Sequence, residues 1–144
     1  MKSKINKYDK IFVAGHNGMV GKAVINKLKE NNFNNLLTIN KDKLDLTNTA
    51  AVKDWFLNNK PDVVIIAAAK VGGIHANNIF PTKFLLDNLK IQNNLIELSW
   101  KNNTSRLLFL GSSCIYPKLS KQPIKEEYLM SGTLEETNKW YAIA

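Results

Sequence analysis

The chain has 144 residues, 44% of them hydrophobic and 22% charged, which suits one globular domain with a sizeable core and argues against disorder. No apolar run approaches the ~20 residues of a membrane-spanning helix, and the lysine-rich start lacks a signal peptide's apolar stretch. The formal charge of +8 does not by itself imply nucleic-acid binding: 19 of the 20 basic residues are lysines scattered without a stripe, and 19 asparagines beside them point to A/T-rich codon usage.

Residues 1–9 read as a polar extension and residues 10–144 as one domain that is incomplete at its C-terminal side. Ile11 to Ala14 is a short β-rich run that ends in glycine, as a buried strand does. From Met19 to Asn31, Val20, Val24, Ile25 and Leu28 recur at helical spacing. Leu36 to Ile39 predicts a second strand, and Leu44-Asp45-Leu46 a short third. A helix is expected from Thr49 to Asn59, capped by Thr47 or Asn48, with Ala51, Val52, Trp55 and Phe56 on its apolar face. Val63 to Ala69 is apolar without alternation, as a strand covered on both faces is. Pro81 opens a long helix through Phe84, Leu85, Leu89, Leu95, Ile96 and Trp100. Arg106 to Leu110 predicts another strand, and Asn138 to Ala144 the first turn of a helix. Strands alternating with helices imply a doubly wound parallel α/β sheet of the Rossmann kind.

The first strand leads into Gly15-His16-Asn17-Gly18-Met19-Val20-Gly21, spaced G-x-x-G-x-x-G. In that place the spacing predicts a dinucleotide loop. Gly15 makes the turn, Gly18 lets backbone approach a pyrophosphate, and Gly21 lets helix and sheet pack closely. After the second strand, Lys41 could meet the 2′-phosphate of NADP, with Asn17 as a donor. Asp42 beside it keeps NAD as the alternative, and Lys41 could equally be a solvated loop residue. Asp45 could bind an adenine amino group or cap the next helix. Cys114 alone can form no internal disulfide, as suits a reducing cytoplasm, and with His16 and His75 it is too few and too badly spaced for structural zinc, so no metal is expected. By themselves, Cys114 reads as a small buried filler, Ser112 and Ser113 as turn residues, Tyr141 as a packing aromatic, His16 and His75 as loop residues, and Asn77 and Asn78 as a polar loop or substrate contacts.

The segments AGHNGMVG, AAAKVGGI and LGSSCIYPK, with the terminal TLEETNKWYAIA, change that balance. From about Lys10 to Ala144 the chain resembles the GDP-L-fucose synthases, which are epimerase-reductases of the extended short-chain dehydrogenase/reductase group. The glycine spacing is general to that group, whereas AAAKVGGI and GSSCIYPK are more specific. The resemblance implies that Ser112 orients a 4-keto oxygen, that Tyr141 gives it a proton, and that Cys114 exchanges protons at the carbons being epimerised. It implies that NADP, as NADPH, lies along Gly15 to Gly21, along Lys41, Asp42, Lys43, Leu44, Asp45 and Leu46, and along Leu110, Gly111, Ser112 and Ser113. It further implies the substrate GDP-4-keto-6-deoxy-D-mannose, a cytoplasmic setting, and a homodimer built on the long helix that starts near Pro81.

One departure stands out. The lysine of the Tyr-x-x-x-Lys motif would fall one residue past Ala144, and the histidine partner of the cysteine and the GDP-sugar region would come later still. The intact enzyme is therefore expected to be active and the 144-residue chain alone inactive. The rival readings are another nucleotide-sugar epimerase or dehydratase and a non-catalytic cofactor-binding or partner-binding fragment.

Overall fold

Short runs of branched aliphatic residues bounded by turn residues become the strands of one parallel sheet. In a computed structural model that describes residues 5–144, these are β1 (Ile11–Ala14), β2 (Leu36–Leu37), β3 (Val63–Ile66) and β4 (Arg106–Phe109), in the spatial order β2-β1-β3-β4. Ile11 lies opposite both Leu36 and Val63, and Ile66 lies opposite Phe109. The helices are α1 (Met19–Glu30), α2 (Thr49–Asn59), α3 (Ile74–Ile79), α4 (Pro81–Lys101) and α5 (Lys139–Ile143). The doubly wound architecture expected from the alternation of strands and helices is the one observed.

The chain divides into two units. The first holds residues 5–69 with Lys90–Leu110, and the second Lys70–Leu89 with Gly111–Ala144. In the first, alternate strand residues feed opposite sides of the sheet. Phe12, Ala14, Val64 and Ile66 pack with Val52 and Phe56 of α2 and with Leu95 and Leu98 of α4. Ile11, Val13, Val63 and Ile65 form the other side, against Val24, Ile25 and Leu28 of α1. Each valine, leucine, isoleucine or phenylalanine so removed from water contributes about 1.5–3 kcal/mol. Trp55 stacks at 4.2 Å from Phe12, and the edge of Phe56 meets Phe12 at 6.2 Å. The apolar face expected of α2 is thus the one it buries. Asn48 rather than Thr47 is its cap, accepting from the Ala51 amide at 3.1 Å.

Three expectations need correction here. Leu44-Asp45-Leu46 forms no strand: Asp45 accepts from the amide and hydroxyl of Thr47, both at 2.9 Å, and this local turn takes the place of ladder bonds. Leu44 is buried in the core all the same, so its apolarity signals burial rather than extension. The second strand pairs only through Leu36 and Leu37. Val20 is 47% exposed and lies off the packed face of α1. Among the described residues β4 lies at one edge of the sheet, and its Leu107, Leu108 and Phe109 are 38–51% exposed.

Buried amides of α4 hold segments that no strand holds. Asn94 donates to the Leu46 carbonyl and accepts from the Thr49 hydroxyl, each at 2.8 Å. In the second unit Asn88 accepts from the Lys70 amide at 2.6 Å and donates to the Lys70 and Phe84 carbonyls. The residues after Gly73 are not a loop: His75, Asn77 and Asn78 belong to α3, and Asn77 is buried, donating to the carbonyls of Gly72 and Gly73. Among the described residues no helix is long and apolar enough to cross a membrane.

Candidate functional site

The candidate residues fall into two groups, one in each unit. In the first, the chain leaves β1 through Gly15 at φ +84°, and a Cβ there would lie 2.6 Å from the Ala67 carbonyl oxygen. Gly21 is tighter still, since its Cβ would meet the Gly15 oxygen at 2.1 Å. Both positions therefore need glycine for the turn and the packing alone. Gly18 differs. Its φ of −72° suits any residue, and a Cβ would touch only the Gly15 oxygen at 3.3 Å. The fold has little use for a glycine there, whereas a bound group approaching the backbone does.

Gly18 is also the N-cap of α1, with no side chain to satisfy the free amides of the first turn and no acidic residue in that turn. Those amides and the positive end of the helix dipole suit a pyrophosphate. The residues present fit a dinucleotide. Asn17 donates to the Asn40 side chain at 2.8 Å, which ties the glycine loop to the turn carrying Lys41, Asp42 and Lys43. Met19, Asn17 and Lys41 are exposed, and beside the loop lies a cleft of about 530 Å3 lined by His16, Asn17, Lys22, Ile25, Lys29 and Thr38.

Asp45, on the same side, is held below the usual carboxylate range. The Thr47 amide is the main cause, followed by the Thr47 hydroxyl, with the charges of Lys41 and Lys90 adding to them and slight burial opposing. A carboxyl depressed in the folded state adds stability above its unfolded value, and that stability is lost as pH falls through the folded one. The stability advantage of the wild type over Asp45→Asn should therefore shrink from about pH 5 to about pH 3 in urea unfolding. A constant difference would refute it. Because Asp45 is exposed, the effect is small.

In the second unit, Gly111 leads into Ser112, whose Oγ accepts from the Cys114 amide at 3.3 Å and caps the 3-10 turn Ser113–Ile115. With its acceptor side engaged, the hydroxyl proton of Ser112 is left to donate. Cys114 is half-buried, and its Sγ accepts from Asn138 Nδ2 at 3.3 Å. Asn138 directly precedes α5, which packs against the 3-10 turn and carries the half-buried Tyr141. Lys118 and Glu135 close the intervening loop with an ion pair at 2.7 Å. Residue-by-residue reading missed Asn138, although an asparagine just before a helix marks a cap. Leu110 belongs to the first unit, where its amide extends β4 pairing to the Ile66 carbonyl at 3.2 Å. Among the described residues no group of three His, Cys, Asp or Glu could hold a metal ion.

Comparison with known proteins gives consistent results. Residues 11–144 match the model of the NAD dependent epimerase/dehydratase family. GDP-L-fucose synthase 1 of Arabidopsis thaliana is 54% identical over 142 residues, 99% of this chain and 44% of the relative. A GDP-mannoheptose C4 reductase from Campylobacter jejuni, solved with NADP bound, superposes with a TM-score of 0.94 at 38% identity, over 97% of this chain and 44% of that one. A GDP-L-fucose synthetase from Naegleria fowleri bound to NADP gives 0.86 at 30% identity, over 99% and 46%. The chain thus spans less than half the length of these relatives.

Proposed function

Because the chain belongs to the NAD dependent epimerase/dehydratase family, we propose that it is the dinucleotide-binding part of an NADP-dependent enzyme. That enzyme epimerises GDP-4-keto-6-deoxy-D-mannose at C3 and C5 and reduces its 4-keto group, giving GDP-L-fucose. The observation that carries this reading is the run Ser112-Ser113-Cys114, with the sulfur held from the helix start that leads to Tyr141.

The amides at the start of α1 and the open backbone at Gly18 would hold the pyrophosphate. Lys41, with Lys22 and Lys29 in the cleft beside the loop, supplies positive charge for a 2′-phosphate, which favours NADP over NAD. When bound, the reduced cofactor supplies the hydride. Three residues of this chain would act on the sugar. The Ser112 hydroxyl donates to the 4-keto oxygen and draws electron density from the carbonyl. That polarisation acidifies the hydrogens on C3 and C5, and the Cys114 thiolate removes one as a proton, leaving an enolate that takes a proton on its other face from a second acid, the histidine that the resemblance pairs with the cysteine. After hydride reaches C4, the Tyr141 hydroxyl protonates the oxygen. The lone Cys114 suits a reducing cytoplasm. Leu86, Ile96 and Trp100, 42–75% exposed along α4, support a homodimer formed on that helix.

The test is NADPH oxidation with the GDP-keto-sugar, using the full-length protein and the 144-residue chain. Turnover by the full-length protein is expected, and its failure to oxidise NADPH with this sugar would overturn the reading. Reduction of a GDP-heptose in preference to the deoxy sugar would favour a second reading, a C4 reductase of heptoses, which the 0.94 likeness supports.

A further inference from the structure

An asparagine at the first boundary of a helix ordinarily accepts a hydrogen bond from an amide one turn in, and so stabilises the helix start. Asn138 sits at that boundary of α5 and makes no such bond. Its Nδ2 donates instead to Cys114 Sγ at 3.3 Å, while its Oδ1 is buried with no hydrogen-bond partner. An unused cap and an orphaned oxygen are both unfavourable, and both fall on one side chain whose single recorded polar contact is with a sulfur.

The geometry points to Asn138 as a positioning residue for Cys114, an N–H donor that fixes the direction of the sulfur and faces the charge it must carry as a base. A thiolate is a far better acceptor than a thiol, so the contact strengthens as the sulfur becomes the base that proton abstraction needs. Asn138 stands three residues before Tyr141, so one short helix carries both the donor to the sulfur and the phenol. This inference rests on the proton-exchange role proposed for Cys114 and adds the residue that readies it.

Cys114 is the only cysteine in the sequence, so alkylation by iodoacetamide reads this sulfur alone, in the 144-residue chain itself. Asn138→Ala should react roughly threefold more slowly than wild type near pH 7, because the anionic sulfur that attacks the reagent loses its N–H donor. The gap should close or reverse toward about pH 10, where thiols in general ionise without help from a donor. Asn138→Asp keeps the size and the capping ability but offers no N–H and repels a thiolate. It should be at least as slow near neutral pH, and it carries the test if the alanine variant fails to fold. Equal rates at every pH, or a slowing that is the same at every pH, would overturn the inference. Retained proton exchange in Cys114→Ser would instead remove the role proposed for the sulfur, whatever the alkylation rates show.

Discussion

Gly21→Val should leave the chain unable to hold its native fold. The added carbon atoms would enter space already filled by the Gly15 carbonyl, 2.1 Å from the Cβ, with the His16 Cα at 2.8 Å. Both obstacles are backbone, so no side chain can swing aside and α1 must lift off β1. A shift of that kind costs about 3 kcal/mol or more, against a total stability of about 5–15 kcal/mol for a domain. Urea unfolding checks it, and a midpoint within error of wild type would sink it. Gly18→Ala provides the contrast: its Cβ meets one atom at 3.3 Å, so stability should change little while NADPH affinity falls. The two variants together separate what a glycine does for the sheet from what it does for a ligand.

Cys114→Ser in the full-length protein should lower proton exchange at the carbons beside the ketone by about 10^2 to 10^4, the usual contribution of a general base. Serine preserves the volume and can still accept from Asn138, but its hydroxyl is far too weak an acid to supply an anion near neutral pH. Incorporation of deuterium from D2O reads the exchange directly, apart from hydride transfer. Tyr141→Phe should do the reverse, sparing exchange and depressing NADPH oxidation. Equal product yields from wild type and Cys114→Ser would defeat the assignment of the sulfur.

The parts of the fold visible in sequence were those where one strong physical demand acts alone. Ile11 to Ala14 and Val63 to Ile66 are buried on both faces, and nothing but unbroken apolarity satisfies that. Gly15 and Gly21 are legible for the same reason, since any side chain there strikes backbone. Legibility ends where side chains make the structure. Asp45 and Asn94 hold the segment around Leu46 through hydrogen bonds that no periodicity encodes, so an apolar triplet looked like a strand. The six residues of α3, rich in asparagine after two glycines, look like a loop until Asn77 is seen bonding the Gly72 and Gly73 carbonyls. In the candidate site, Ser112, Cys114 and Tyr141 were named from motif likeness, whereas Asn138 emerged only once its amide was found on the sulfur.

The two-sided burial of the central strands has a consequence for how the sheet finds its alignment. Polarity cannot tell one pairing of β1 and β3 from the next, because a slip by one residue would exchange one oily side for another. Volume makes the distinction. One side receives the rings of Phe12, Trp55 and Phe56, and the β1 and β3 residues on the other, Ile11, Val13, Val63 and Ile65, are all β-branched aliphatics. A slipped Phe12 would have no room, and Gly15 would leave its seat beneath the Ala67 carbonyl, so ring size and one absent methyl group meter the pairing.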